Sequence, residues 1–164
     1  MKRLLTPWRL RFILGPKMEG CLFCQKLAEN KDKENLILYR GQHCFIMLNA
    51  YPYTNGHLMV VPYAHVRNLD QLDTPTLTDL MLLTKRSIVA LQKVMSPDGF
   101  NMGINVGKVA GAGVEDHVHF HVVPRWLGDT NFMPVLAETR LIPEPLNDTY
   151  DRLVAAGIAD PELV

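Results

Sequence analysis

The hydrophobic positions of this chain follow two periods. Residues 36–39 (Leu-Ile-Leu-Tyr) and 44–48 (Cys-Phe-Ile-Met-Leu) are short β-prone runs separated by a turn at Gly41, and 57–61 is a third run after the loop 51–56. From Thr74 the period changes to that of a helix. Pro75 stands at its first position, and Leu77, Leu80, Met81, Leu83, Ile88, Leu91 and Val94 point inward until Pro97 stops it. Residues 100–106 read as a fourth strand, 117–123 as a fifth and 149–156 as a short terminal helix. Meandering strands with one long helix between them predict an α+β fold, a five-stranded antiparallel sheet rather than a doubly wound one. No repeat, linker or low-complexity segment interrupts the pattern.

The fifth run carries the chemistry. His117, His119 and His121 occupy every second position of His-Val-His-Phe-His-Val-Val. Successive side chains of an extended strand alternate between its faces, so the imidazoles line one face while Val118, Phe120 and Val122 cover the other. An interior, β-branched run bounded by Pro124 is unlike a tag, and its spacing predicts a catalytic or metal-binding row.

Composition narrows the setting. The 17 basic and 17 acidic residues balance to a formal net charge of +0, and 48% hydrophobic with 21% charged residues is globular, so neither nucleic acid nor a membrane is expected as the main partner. Residues 1–17 are locally basic through Lys2, Arg3, Arg9, Arg11 and Lys17, but Pro7 and the arginines break any signal-like apolar core, and no run approaches the ~20 residues of a membrane helix. A cytoplasmic protein is expected. Its basic arm either lies over an anionic ligand or packs Trp8 with its arginines in solvent.

The three cysteines divide unevenly. Cys44 sits in an apolar run as a small buried hydrophobe, whereas Cys21 and Cys24 form Cys-x-x-Cys, a zinc knuckle or a redox pair. A redox pair is expected to follow a strand and open a helix, and no strand precedes this one. Zinc needs two further ligands, for which His43, His65 and His117 are candidates. The loop 107–113, Gly-Lys-Val-Ala-Gly-Ala-Gly, lacks the Gly-Lys-Ser/Thr of a P-loop, but its glycines let backbone amides close around an anion beside the histidines.

With these motifs together, the chain resembles the histidine triad family, whose His-φ-His-φ-His-φ-φ signature (φ hydrophobic) residues 117–123 match in full. Asn49 and His57 resemble the family's ribose-binding asparagine and its fourth active-site histidine, and Asn105 resembles the amide that contacts the α-phosphate. Pro7-Trp8-Arg9, Pro124-Arg125-Trp126 and Gly128-Asp129 are most similar to the diadenosine tetraphosphate phosphorylase-like members of the fragile-histidine-triad branch. The likeness implies one domain, with a core at 20–126 between the basic arm 1–19 and a carboxy-terminal extension 127–164. It also implies a homodimer whose sheets continue into one another.

The implied reaction is cleavage of a dinucleoside polyphosphate, or of another adenine nucleotide, through a nucleotidyl-histidine on His119. His121, His117 and His57 assist, and Asn49, Asn105, Gly111 and Gly113 bind the nucleotide. No catalytic metal is needed, because loop amides and imidazoles meet the phosphoryl charge. In zinc-bearing members the metal is held by residues matching Cys21, Cys24, His65 and His117, which implies structural zinc here. One departure stands out. Where members carry Gln and then Ser or Thr before the triad, this chain has Ala112 and Gly113, a smaller loop that leaves room for inorganic phosphate as the second nucleophile. The alternatives are a hydrolase of dinucleoside polyphosphates or nucleoside phosphoramidates, and a nucleotide-binding module without turnover, for which an intact triad has no use.

Overall fold

A computed structural model describes residues 20–129 and 142–163. Five strands, β1 (Ile37–Arg40), β2 (Cys44–Leu48), β3 (Leu58–Pro62), β4 (Gly99–Ile104) and β5 (Phe120–Arg125), form one antiparallel sheet in the order β1-β2-β3-β5-β4. Among the described residues three α-helices accompany it: α1 (Leu22–Ala28), α2 (Thr74–Met95) and α3 (Leu146–Ala155). The basic arm with Trp8, and residues 130–141 and 164 of the extension, lie outside the described residues. Among the described residues, no helix is long and apolar enough to cross a membrane.

Every residue of β2 and β3 is buried, because both faces of the central strands are covered. That is why these strands read as continuous apolar runs. One face presents Cys44, Ile46, Leu48, Leu58, Val60 and Val122 to Leu80, Leu83, Ala90 and Leu91 of α2 and to Leu153 of α3. The other presents Ile37, Phe45, Met47, Met59 and Val61 to Phe23 of α1.

α2 begins where the sequence predicts. The Asp73 carboxylate accepts from the Thr76 amide at 2.9 Å, and Ser96 closes the helix in the left-handed region at φ 45°. Its inward stripe differs from the expectation at Met81, which is 54% exposed. Inward positions are taken instead by Thr84 and Ser87, whose hydroxyls donate to the carbonyls four residues back at 2.8 Å each. A polarity-based reading passes over such residues and selects the neighbouring methionine. β4 ends at Ile104, two residues early, and α3 starts three residues early at Leu146. α1 is absent from the sequence-based expectation: it is seven residues long, and its N-cap Cys21 makes no side-chain cap bond.

Candidate active site and metal cluster

The triad leaves the sheet partway. β5 pairs with β3 only through Leu58↔Val122, Met59↔His121 and Val60↔Phe120, so His117 and His119 precede the ladder rather than belonging to the expected strand. The segment is held there by two other bonds. Val118 N–H donates to the Val66 carbonyl at 2.7 Å, and His117 Nε2–H donates to the Pro62 carbonyl at 2.8 Å. Alternation survives nonetheless, with Val118, Phe120 and Val122 in or against the α2-side core and the three imidazoles on the opposite face.

Proton positions follow from donors and acceptors of unambiguous sense. The Tyr53 backbone N–H donates to His57 Nδ1 at 3.1 Å, so the ring proton of neutral His57 is on Nε2, and it donates to His121 Nδ1 at 2.9 Å. His121 therefore carries its own proton on Nε2. His119 Nδ1–H donates to the His117 carbonyl at 2.9 Å, which leaves its Nε2 with a free lone pair. Rings 119 and 121 stand edge to face with centroids 4.8 Å apart. Burial, then the neighbouring His119, pushes His121 down to about 4, and burial lowers His119 as well. Both rings are neutral at pH 7, and a lone-pair nucleophile stands beside a hydrogen-bond donor.

The loop that supplies the Tyr53 amide is tied down from several sides. Thr54 Oγ1 donates to the Pro124 carbonyl at 2.9 Å, Asn55 Nδ2 donates to Glu144, and the Thr149 hydroxyl of α3 also donates to Glu144. Asn49 Oδ1 accepts from the Tyr51 amide at 2.9 Å at the start of this loop. Tyr53 itself, with its ring 4.7 Å from His57, carries no sequence motif, since its hydrogen bond to the histidine comes from the main chain. In the glycine loop, Gly107 and Gly111 take positive φ, and the Gly111 amide donates to the Lys108 carbonyl at 3.0 Å. That amide faces into the loop, while Asn105 lines the cavity beside His121. The cavity, about 1040 Å³, runs from Tyr53 and His121 past Asn101 and Asn105 to Arg125 and Trp126.

A second cluster joins three remote segments. Cys21 and Cys24 at the start of α1, His65 after β3 and His117 present ligand atoms all within 4.8 Å of one another. The Cys21 Sγ–His117 Nδ1, His65 Nδ1–His117 Nδ1 and Cys24 Sγ–His65 Nδ1 separations are 3.2, 3.3 and 3.6 Å. Zinc bonds of ~2.0 Å to nitrogen and ~2.3 Å to sulfur give a tetrahedron with edges of roughly 3.3–3.8 Å, so the donor set fits that ion. The His117 proton is on Nε2, held by Pro62, which turns Nδ1 toward the cluster as a ligating nitrogen requires. His43 lies outside the cluster. Burial, then Cys21, pushes the Cys24 thiol up, opposite to the lowered pKa of a redox dithiol.

The fold defines an α+β class, a five-stranded antiparallel sheet with a histidine row leading into β5. Comparison with known proteins gives the family: the HIT domain model matches residues 30–126, more than half of the chain. The chain is 36% identical to the AP-4-A phosphorylase of Mycobacterium tuberculosis, over 98% of its own length and 87% of that relative. It is 34% identical to an adenosine 5'-monophosphoramidase of Saccharomyces cerevisiae over 65% of this chain and 63% of that one. A crystal structure of a Zn-bound histidine triad family protein from Mycobacterium smegmatis superposes with a TM-score of 0.68 at 29% identity, covering 84% of this chain and 92% of that one. The chain belongs to the histidine triad family. It is an enzyme of that family's nucleotidyltransferase/hydrolase type, and its Cys-His cluster is able to hold a metal.

Proposed function

We propose that this enzyme cleaves dinucleoside polyphosphates, diadenosine tetraphosphate foremost, by nucleotidyl transfer through His119. The observation that carries the reading is the His119 Nδ1–H bond to the His117 carbonyl at 2.9 Å, which leaves Nε2 unprotonated beside the His121 donor. In the first step the Nε2 lone pair forms a bond to the α-phosphorus, the bond to the bridging oxygen breaks, and a nucleoside polyphosphate leaves with those electrons. In the second step an oxygen nucleophile attacks the same phosphorus and the N–P bond breaks, returning the pair to Nε2. His121 Nε2–H, oriented by His57, donates to a nonbridging oxygen as charge develops there. Asn49 binds ribose, and Asn105 with the turn shaped by Gly111 and Gly113 faces the phosphates. The long cavity toward Arg125 and Trp126 has room for the leaving half.

His119→Ala should lower turnover by on the order of 10⁴-fold, as for removed nucleophiles elsewhere. A radiolabelled adenylyl group should be trapped at alkaline pH on the wild-type chain and not on the variant. Full labelling of the variant would move the nucleophile to another histidine.

We assign the second nucleophile to inorganic phosphate, since Ala112 and Gly113 leave space beside the triad and the mycobacterial relative is a phosphorylase. Diadenosine tetraphosphate with phosphate should then give ADP and ATP, whereas water would give AMP and ATP. Restoring bulk with Ala112→Gln and Gly113→Ser should shift products toward AMP. Dominant AMP under saturating phosphate would refute phosphorolysis, and the yeast relative's name supports a second reading, hydrolysis of nucleoside phosphoramidates, which faster turnover of an adenosine phosphoramidate than of diadenosine tetraphosphate would favour.

Zinc is proposed at Cys21, Cys24, His65 and His117 in a closed structural shell. We further propose a cytoplasmic protein with one domain, its core at 20–126 flanked by the arm 1–19 and the extension 127–164. We infer a homodimer that continues the sheet through the edge strand β4, where Met102 is 50% exposed.

A further inference from the structure

His117 is engaged at three points. Its Nδ1 belongs to the Cys-His cluster, its Nε2–H is held by the Pro62 carbonyl, and its own carbonyl holds the Nδ1 proton of His119. A second path leads to the same ring. Phe23 lies inside Cys21-Leu22-Phe23-Cys24, is 1% exposed, and packs edge-on to His117 at 5.3 Å and against His119 at 5.0 Å. The residues that would hold zinc are thus tied to both groups that orient the nucleophile's ring: His117 itself supplies the carbonyl, and Phe23 stands between Cys21 and Cys24. Val118 N–H, bonded to the Val66 carbonyl, ties the His65 and His117 ends together from the other side.

We propose that the Cys21–Cys24–His65–His117 cluster is a positioning device for His119, with His117 and Phe23 as the positioning residues. The ion touches neither substrate nor nucleophile. By fixing the first turn of α1 and the backbone at residue 117, the loaded cluster holds His119 in one rotamer and one tautomer, with Nε2 unprotonated. Emptying the cluster frees the His117 carbonyl to turn and the Phe23 ring to withdraw, so the imidazole samples both tautomers. This rests on His119 being the nucleophile, but the ring's state is measurable without turnover.

The test is ¹⁵N NMR of the His119 ring nitrogens in three proteins: zinc-loaded wild type, chelator-treated wild type and Phe23→Leu loaded with zinc. Cobalt(II) substitution in Phe23→Leu, read from its visible thiolate bands, checks that the ligand cage is intact. The loaded wild type should show a single Nδ1–H tautomer. The other two should show averaged ring nitrogens, with kcat down about 10- to 100-fold, the usual loss for an altered orienting partner, and KM changed little. A single Nδ1–H tautomer persisting in Phe23→Leu and in zinc-free protein overturns the proposal, as does a defect carried by KM alone. Where chelated protein loses its native circular dichroism, Phe23→Leu decides. A protein that fails to cleave dinucleoside polyphosphates but shows the zinc-dependent tautomer would sink the proposed reaction and leave the positioning role standing.

Discussion

One backbone amide, that of Tyr53, decides the protonation pattern of two imidazoles, because its N–H can only donate and each neutral ring in turn has one donor and one acceptor. The arrangement predicts a particular response to acid. His121 sits at about 4 through burial and the adjacent His119, against an ordinary value near ~6.5, so it keeps its state as pH falls through the usual histidine range. A kcat profile should show no inflection near pH ~6.5, and a midpoint there would refute the neutral chain. His57→Phe should remove the donor that orients His121 and lower kcat by roughly 10- to 100-fold, the loss expected when an orienting hydrogen bond goes. At this scale the sequence was legible where side-chain type and spacing suffice: the period-two histidines and the Cys21–Cys24 pair, whereas spacing left His43, His65 and His117 open as further ligands and only the family resemblance narrowed them to His65 and His117. It was silent on Tyr53 and Phe23, which act through a main-chain amide and a packed ring and have no motif of their own.

Among the elements, α2 is joined through a buried cation to the segment that follows α3. Arg86 is 5% exposed, donates to the carbonyls of Ile158 and Asp160, and lies over the Tyr39 ring at 4.6 Å. Arg86→Leu would take the guanidinium donor from the Ile158 carbonyl and leave the Asp160 carbonyl only the Leu163 amide, and should cost on the order of 3 kcal/mol in urea denaturation. A loss within experimental error would mean water replaces the guanidinium. Leu153→Ala, fully buried in the same junction, should cost about 2–5 kcal/mol. α2 announces itself in the sequence because Thr74, Pro75 and Pro97 mark its ends over 22 residues. α1 does not, since seven residues hold too few turns to display a period, and its reason for being helical is tertiary.

For the whole molecule, the sheet separates two environments: the face toward α2 carries the larger core, and the other carries Phe23 and the imidazoles. Burying neutral histidines has a cost in acid. His121 falls from ~6.5 unfolded to about 4 folded, so its contribution is fully present above pH ~6.5 and is lost as pH falls toward 4, where the unfolded chain binds the extra proton. The loss should reach on the order of 3 kcal/mol. A melting temperature that stays constant from pH 7 to 5 would contradict this. The strand order was less legible than the strands, because nothing in residues 117–123 says that they pair with 58–60 rather than with the nearer end of the chain.

That order also has a history written into it. The β1-β2-β3 meander and the β4-β5 hairpin each close between neighbouring stretches of chain, but they meet along a seam, Leu58↔Val122 to Val60↔Phe120, whose partners are about 60 residues apart with α2 between them. Closing so long a loop is entropically costly and slow compared with either local piece. His57 comes from one side of the seam and His121 from the other. During refolding, hairpins and helix should gain protection from hydrogen exchange first, while the bond between these two rings forms only at the last joining. A newly made chain is therefore catalytically silent until its two halves meet.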